Sequence, residues 1–238
     1  MARSLSTWLE LREGEGARTS RLFAFIFLMT TAVVFSRSAQ RELFLTAYPR
    51  SAIPDAFLWS SAALMVASLA VSAAAERLAL VRLMGWLLGG ISAALLGVFF
   101  AARAWPTAGP MLVFVTVEVL TSLMLGQAWA VASEAIDVRS AKRLLPLIGV
   151  GAGLAWTLGG FAVGPLAKGL GPASLLVFAV GALLGTFALL QVVARNDLVE
   201  APRPQRAQGF VAGLVSGLRY LATEPLTRVL AAIITIEL

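Results

Sequence analysis

The chain has 238 residues, of which 59% are hydrophobic and only 13% charged, and its mean hydropathy is +0.85. That balance excludes an ordinary soluble domain. There is no cysteine and no histidine, which removes the usual ligands and bases of disulfide, thiol, zinc and Ser-His chemistry. The formal net charge of +6 reads, in so apolar a chain, as arginine facing anionic lipid rather than as a nucleic-acid footprint.

Residues 1–21 mix Arg3, Arg12, Arg18 and Arg21 with Glu10, Glu13 and Glu15. They lack the pattern of a signal peptide and are expected to form a cytoplasmic lead-in, with Trp8, Leu9 and Leu11 at the interface. Six apolar runs follow: Leu22–Thr46, Pro54–Ala75, Leu80–Ala102, Pro110–Ser133, Leu144–Ala167 and Pro172–Ala194. Each is close to the roughly 20 residues that a span requires. Helices are expected throughout, because a spanning backbone must satisfy its own hydrogen bonds. The short links favour antiparallel neighbours.

Asn196–Ala207 (NDLVEAPRPQRA) is polar and proline-rich and reads as a cytoplasmic linker. Phe210–Leu221 is amphipathic enough to lie on the membrane surface. Val229–Leu238 reads as the start of a seventh span, about 15 Å long at helical rise. The expected organisation is an all-α polytopic membrane protein: a lead-in (1–21), a six-helix bundle (22–195), a linker with an amphipathic helix (196–228) and the start of a seventh helix (229–238). The remaining half of the molecule is expected to lie beyond.

Basic residues set the orientation. One side collects the N-terminal arginines, Arg77 and Arg82, Arg139, Lys142 and Arg143, and Arg195 with the arginines after it, whereas the other holds Arg50, Arg103 and Lys168. The positive-inside rule then puts the N-terminus in the cytoplasm of a cell whose inner (plasma) membrane holds the bundle.

Four charges fall within the apolar runs more than three residues from either end: Arg37, Arg41 and Glu42 in the first, and Glu118 in the fourth. Charge at membrane depth usually faces a bundle interior or a watery path. Arg37 and Arg41 are one turn apart on one face; they either face a solute or snorkel toward headgroups. Arg37 lies about 22 Å from the inner end of its run and Glu118 about 12 Å from the outer end of its own. In a core about 30 Å thick these depths are comparable, so an Arg37–Glu118 or Arg41–Glu118 pair is expected, either structural or as part of a solute site. Arginine suits phosphate through its planar fork.

Gln127 is polar at mid-depth and bonds either to a neighbouring helix or to solute. Glu134, Asp137, Arg139, Lys142 and Arg143 sit at a helix end, where a solvated run or an inner gate of ion pairs involving Glu134, Lys142 and Arg143 is expected rather than solute contact. The glycines of helix five (GVGAGLAWTLGGFAVG) point to close helix packing, not to a phosphate loop, since no strand precedes them. Trp129 and Trp156 read as interface anchors or as stacking surfaces.

Two stretches carry a resemblance. FSRSAQRELFLTAYPRSAIP (35–54) resembles the helix-one pattern L-R-x-x-K-D-x-L-x-x-T…P of the ATP/ADP translocases of plastids and intracellular bacteria, through Arg37, Arg41, Glu42, Thr46 and Pro54. WAVASEAIDVRSAKRLLPLIGVGA (129–152) resembles that family's W-x-x-A-N-Q…A-K-R-x-x-P-L-x-G-x-G-A, through Trp129, Ala132, Ala141, Lys142, Arg143, Pro146, Leu147, Gly149, Gly151 and Ala152. Arg41 stands where the pattern has lysine, Glu42 where it has aspartate, and Ser133-Glu134 where it has Asn-Gln. The SAAAERLALVR link, with Ser72, Glu76, Arg77 and Arg82, is similar to a degenerate form of the major facilitator loop.

The resemblance implies a twelve-helix nucleotide exchanger in full form, built from inverted three-helix repeats with the solute site near the midplane. Helices one and four would be repeat equivalents, and Glu118 falls about where the family carries a glutamate. A nucleotide or other organic anion is then the expected solute, held by Arg37, Arg41, Glu42, Glu118 and Gln127, with no cofactor and no metal. Two other readings remain: a proton-coupled exporter using Glu118 or Glu134, and a membrane sensor or scaffold. No enzyme chemistry is supported.

Overall fold

The computed structural model describes residues 15–197 and contains six long helices: α1 (Glu15–Ala47), α2 (Ile53–Ala75), α3 (Leu80–Ala104), α4 (Gly109–Glu134), α5 (Val138–Leu170) and α6 (Ser174–Asn196). A single 3-10 turn, Arg50–Ala52, precedes α2, and no strand occurs among the described residues. All six helices are long and apolar enough to cross a membrane. The chain is an all-α, polytopic membrane protein. The expected linker beyond Asp197, the amphipathic segment and the seventh span lie outside the described residues, as do Trp8, Leu9 and Leu11.

Proline and glycine place the breaks. Pro49 lies two residues past the end of α1 and pushes Tyr48, the residue before it, out of helical geometry. Pro54 and Pro110 sit in the first turns of α2 and α4, where a missing N–H costs nothing. Gly171 ends α5 at φ +83°, a conformation that a side chain disfavours. Pro146 and Pro165 lie within α5 without dividing it.

Two helices run further than the apolar runs predict. The expected lead-in is helical from Glu15, so α1 has 33 residues and rises about 50 Å. That exceeds a hydrocarbon core of about 30 Å, so the first turns, with Glu15, Arg18 and Arg21, project beyond the apolar layer. They are held there. Arg21 donates through Nε to Asp197 Oδ2 at 2.8 Å, and Arg18 lies 3.6 Å from Oδ1 of the same carboxylate. Arg143 pairs with Glu15 at 3.2 Å, and the Ser140 hydroxyl donates to Glu15 at 3.0 Å. α5 likewise starts six residues before Leu144, bringing Ser140 and Arg143 onto its first turns.

These contacts gather the start of α1, the start of α5 and the end of α6 at one end of the bundle. At the opposite end the Tyr48 hydroxyl donates to the Thr107 carbonyl, joining the α1–α2 and α3–α4 links.

α1 is the central helix: 56% of its apolar window is buried, against 11% for α2. It packs on α6, α5 and α4, while α4 packs on α3, α1 and α2; α3 and α6 also meet, and α2 and α5 share no extensive contact. Exchanging each helix with the one three places along leaves this neighbour pattern unchanged. Helices three places apart also run in opposite directions, as the alternation of six antiparallel spans requires. The approach of α5 to α1 depends on glycine: a Cβ at Gly151 would meet the Phe23 carbonyl at 2.9 Å, and one at Gly159 would meet Val34 at 3.1 Å. The glycine-rich helix is therefore a packing surface.

Candidate functional site

Seen along α1, Arg37, Gln40, Arg41 and Phe44 recur at helical spacing and fall on one face. That face meets α4, which offers Phe114, Glu118 and Thr121 at the same spacing. Arg37 Nη2 donates to Glu118 Oε1 at 2.9 Å. Its Nε lies 3.3 Å from the Thr121 hydroxyl, which itself donates to the Val117 carbonyl. The Gln40 amide donates to Glu118 Oε2 and to the Phe114 carbonyl, both at 3.1 Å. Both oxygens of Glu118 are thus engaged by α1, one by a guanidinium and one by an amide.

The pair is not sealed in a dry core. The Arg37 and Glu118 side chains keep 30% and 19% of their surface, and both line a cavity of about 210 Å³. Full desolvation of two charges would cost several kcal/mol per ion; a partly open cavity avoids much of that. The same cavity is lined by Gln40 and Arg41, by Phe44 and Phe114, and by Ile53 and Phe57 from α2.

Arg41 is exposed and makes no ion pair among the described residues. Of the two pairings open to Glu118, the structure forms the one with Arg37. Arg37 therefore points into the bundle rather than toward headgroups, and Arg41 is the cation left over.

The aromatic wall is ordered by ring contacts. Phe44 and Phe114 have centroids 4.7 Å apart, and Phe57 meets Phe114 edge-on at 5.3 Å. Phe44 also stacks on Tyr48 at 5.1 Å. Phe44 and Phe114 are buried, whereas Phe57 is 48% exposed.

The other expected site residues fall elsewhere. Glu42 is exposed on α1 and outside the cavity lining, and its carbonyl accepts from the Thr46 hydroxyl. Gln127 is half-buried on α4, away from that lining. Glu134 and Lys142 are exposed near the basic end. Arg143 engages Glu15 across α1 and α5 instead of joining Glu134 in a gate. Trp156 is exposed on α5 and Trp129 lies against Gly149; neither lines the cavity. No group of acidic residues that could hold a metal occurs among the described residues.

Sequence reasoning missed Gln40, Thr121 and the three phenylalanines. Gln40 had a readable signal, being polar inside an apolar run and three residues past Arg37. The phenylalanines had none, since one aromatic in an apolar span looks like another.

No protein-family model, no curated protein and no solved structure matches the chain. The likeness to the nucleotide translocases rests on the two motifs alone. Of their charged positions, only Arg37 and Arg41 line the cavity.

Proposed function

We propose that the chain is a major-facilitator-type six-helix bundle of a secondary transporter that exchanges an organic anion by alternating access, with a nucleotide of the ATP/ADP kind as the solute favoured by the motifs. The observation that carries this reading is the pairing of Arg37 with Glu118 beside Arg41, which makes no ion pair among the described residues, in one cavity between α1 and α4. In the major facilitator design these helices would be repeat equivalents, and transporters of that design hold solute near the midplane between such repeats.

The chemistry follows from the charges. An entering acidic group meets Arg41, which needs no release from another partner. It then competes with Glu118 for Arg37. A pair 4 Å apart at an effective dielectric of about 20 attracts by roughly 4 kcal/mol before desolvation, so the exchange of one anion for another on Arg37 is close to balanced.

Alternating access needs a second bundle to rock against the first. The exposed apolar faces of α2 and α5 offer it a surface. By the positive-inside rule the end bearing Arg21, Arg143 and Asp197 faces the cytoplasm, and the membrane is the cell's inner (plasma) membrane.

The test is uptake of labelled ATP into proteoliposomes holding the purified protein and preloaded with ADP. Uptake that depends on internal ADP supports exchange. Uptake driven by a pH gradient alone replaces this reading with proton-coupled export, and no uptake of any anion leaves a sensor or scaffold.

A further inference from the structure

The cavity between α1, α2 and α4 has a charge and a shape that narrow the solute further. Its charged lining residues are Arg37, Arg41 and Glu118. Arg37 and Glu118 neutralise one another at 2.9 Å, and Gln40 holds the second carboxylate oxygen. One positive charge is left, on Arg41. The volume, about 210 Å³, lies below the roughly 300–1,000 Å³ of sites for drug-sized ligands. The remaining surface is largely apolar and aromatic, and one ring of it, Phe57, is half exposed. Its edge contact with Phe114 fixes the ring while leaving area free.

We infer that this cavity binds a compact, singly charged acid carried on one aromatic ring, with the acidic group on Arg41 and the ring against Phe57. The inference rests on the anion-transport reading and narrows it. A triphosphate carries more negative charge than Arg41 matches, so the charge balance of this cavity favours a singly charged acid over the nucleotide that the motifs suggest. A ring-free anion fits the charge but makes no use of the Phe57 ring that lines the cavity. Arg37 and Glu118 serve as a fixed, neutral floor in this state, and Gln40 keeps the carboxylate from turning toward Arg41.

The experiment is calorimetric titration of the full 238-residue chain in detergent micelles. The probes are benzenesulfonate and methanesulfonate, which stay singly charged at neutral pH, and ATP. Burial of one ring predicts that benzenesulfonate binds about tenfold or more tightly than methanesulfonate. It also predicts that benzenesulfonate outcompetes ATP. Arg41→Gln, at an exposed and unpaired position, should keep the melting temperature and lose tenfold or more in benzenesulfonate affinity. Phe57→Leu keeps an apolar side chain and should bring the two sulfonates close together.

Equal binding of the sulfonates, or benzenesulfonate binding unchanged in Arg41→Gln, overturns the inference; the second result marks partition into the micelle. ATP binding more tightly than benzenesulfonate through Arg41 also overturns it, while leaving the anion-transport reading in place. Arg41-dependent benzenesulfonate binding by a protein that exchanges no anion upholds the ligand class and removes transport instead.

Discussion

Arg37 on α1 and Glu118 on α4 meet at 2.9 Å although 81 residues separate them in the chain. Each lies about 15 Å from the end of its helix farthest from the basic residues, so the pair joins α1 and α4 at one depth. Removing one charge strands the other. Glu118→Gln and Arg37→Gln should each lower stability, and the double variant should recover part of the loss. The side chains are partly exposed, so a coupling of about 1–3 kcal/mol is expected, between surface and fully buried pairs. Thermal melts of the four proteins in one detergent measure it; strictly additive losses would show that the contact contributes nothing.

The basic end has its own fixed point. The Asp197 side chain is 1% exposed and is held by Arg21 and Arg18. Asp197→Asn keeps the shape and removes the charge facing two guanidinium groups. It should destabilise by about 2–4 kcal/mol, and more than Glu15→Gln does, because the Glu15 carboxylate is less buried than that of Asp197. The same melts rank the two variants, and the reverse order would count against Asp197 as the tie between α1 and α6.

Gly151 and Gly159 let α5 approach α1. Gly151→Val places a side chain against the Phe23 carbonyl and ring, and overpacking of this kind costs about 1–3 kcal/mol. Gly153, two positions along, has nothing within 4 Å of a built Cβ, so Gly153→Ala should be neutral or slightly stabilising. Equal melting temperatures for Gly151→Val and Gly153→Ala would refute the close approach.

Much of this architecture was legible in the sequence, and the reasons can be read from particular residues. Hydropathy located all six spans because lipid demands long apolar helices. It placed the start of α1 at Leu22 rather than Glu15, since Glu15, Arg18 and Arg21 look like loop until Asp197 and Arg143 supply their partners from more than 120 residues away. The Arg37–Glu118 contact was legible from depth alone: two charges stranded in apolar runs at matching heights have few other places to go. The choice between Arg37 and Arg41 was not, because it depends on helix rotation. Arg143 looked like part of a gate with Glu134, its neighbour in sequence, and instead faces Glu15. Phe57 joined the cavity through the placement of α2, which no local pattern encodes.

Orientation is open to chemistry, because the chain has no cysteine. Arg139 is exposed at the start of α5 and Thr107 is exposed in the α3–α4 link, at opposite ends of the bundle. Arg139→Cys should resist an impermeant thiol reagent in intact cells and Thr107→Cys should react. The opposite labelling pattern would invert the assigned topology.

The central claim is that an exchanged organic anion binds at Arg41 beside the Arg37–Glu118 pair. Counterflow in proteoliposomes of the purified protein tests it most directly, with labelled ADP and labelled benzenesulfonate each run against an unlabelled internal anion, in the wild type and in Arg41→Gln. The account predicts exchange of at least one of the two anions by the wild type and a loss of tenfold or more in Arg41→Gln at unchanged melting temperature. Undiminished exchange in well-folded Arg41→Gln and Arg37→Gln proteins would contradict it.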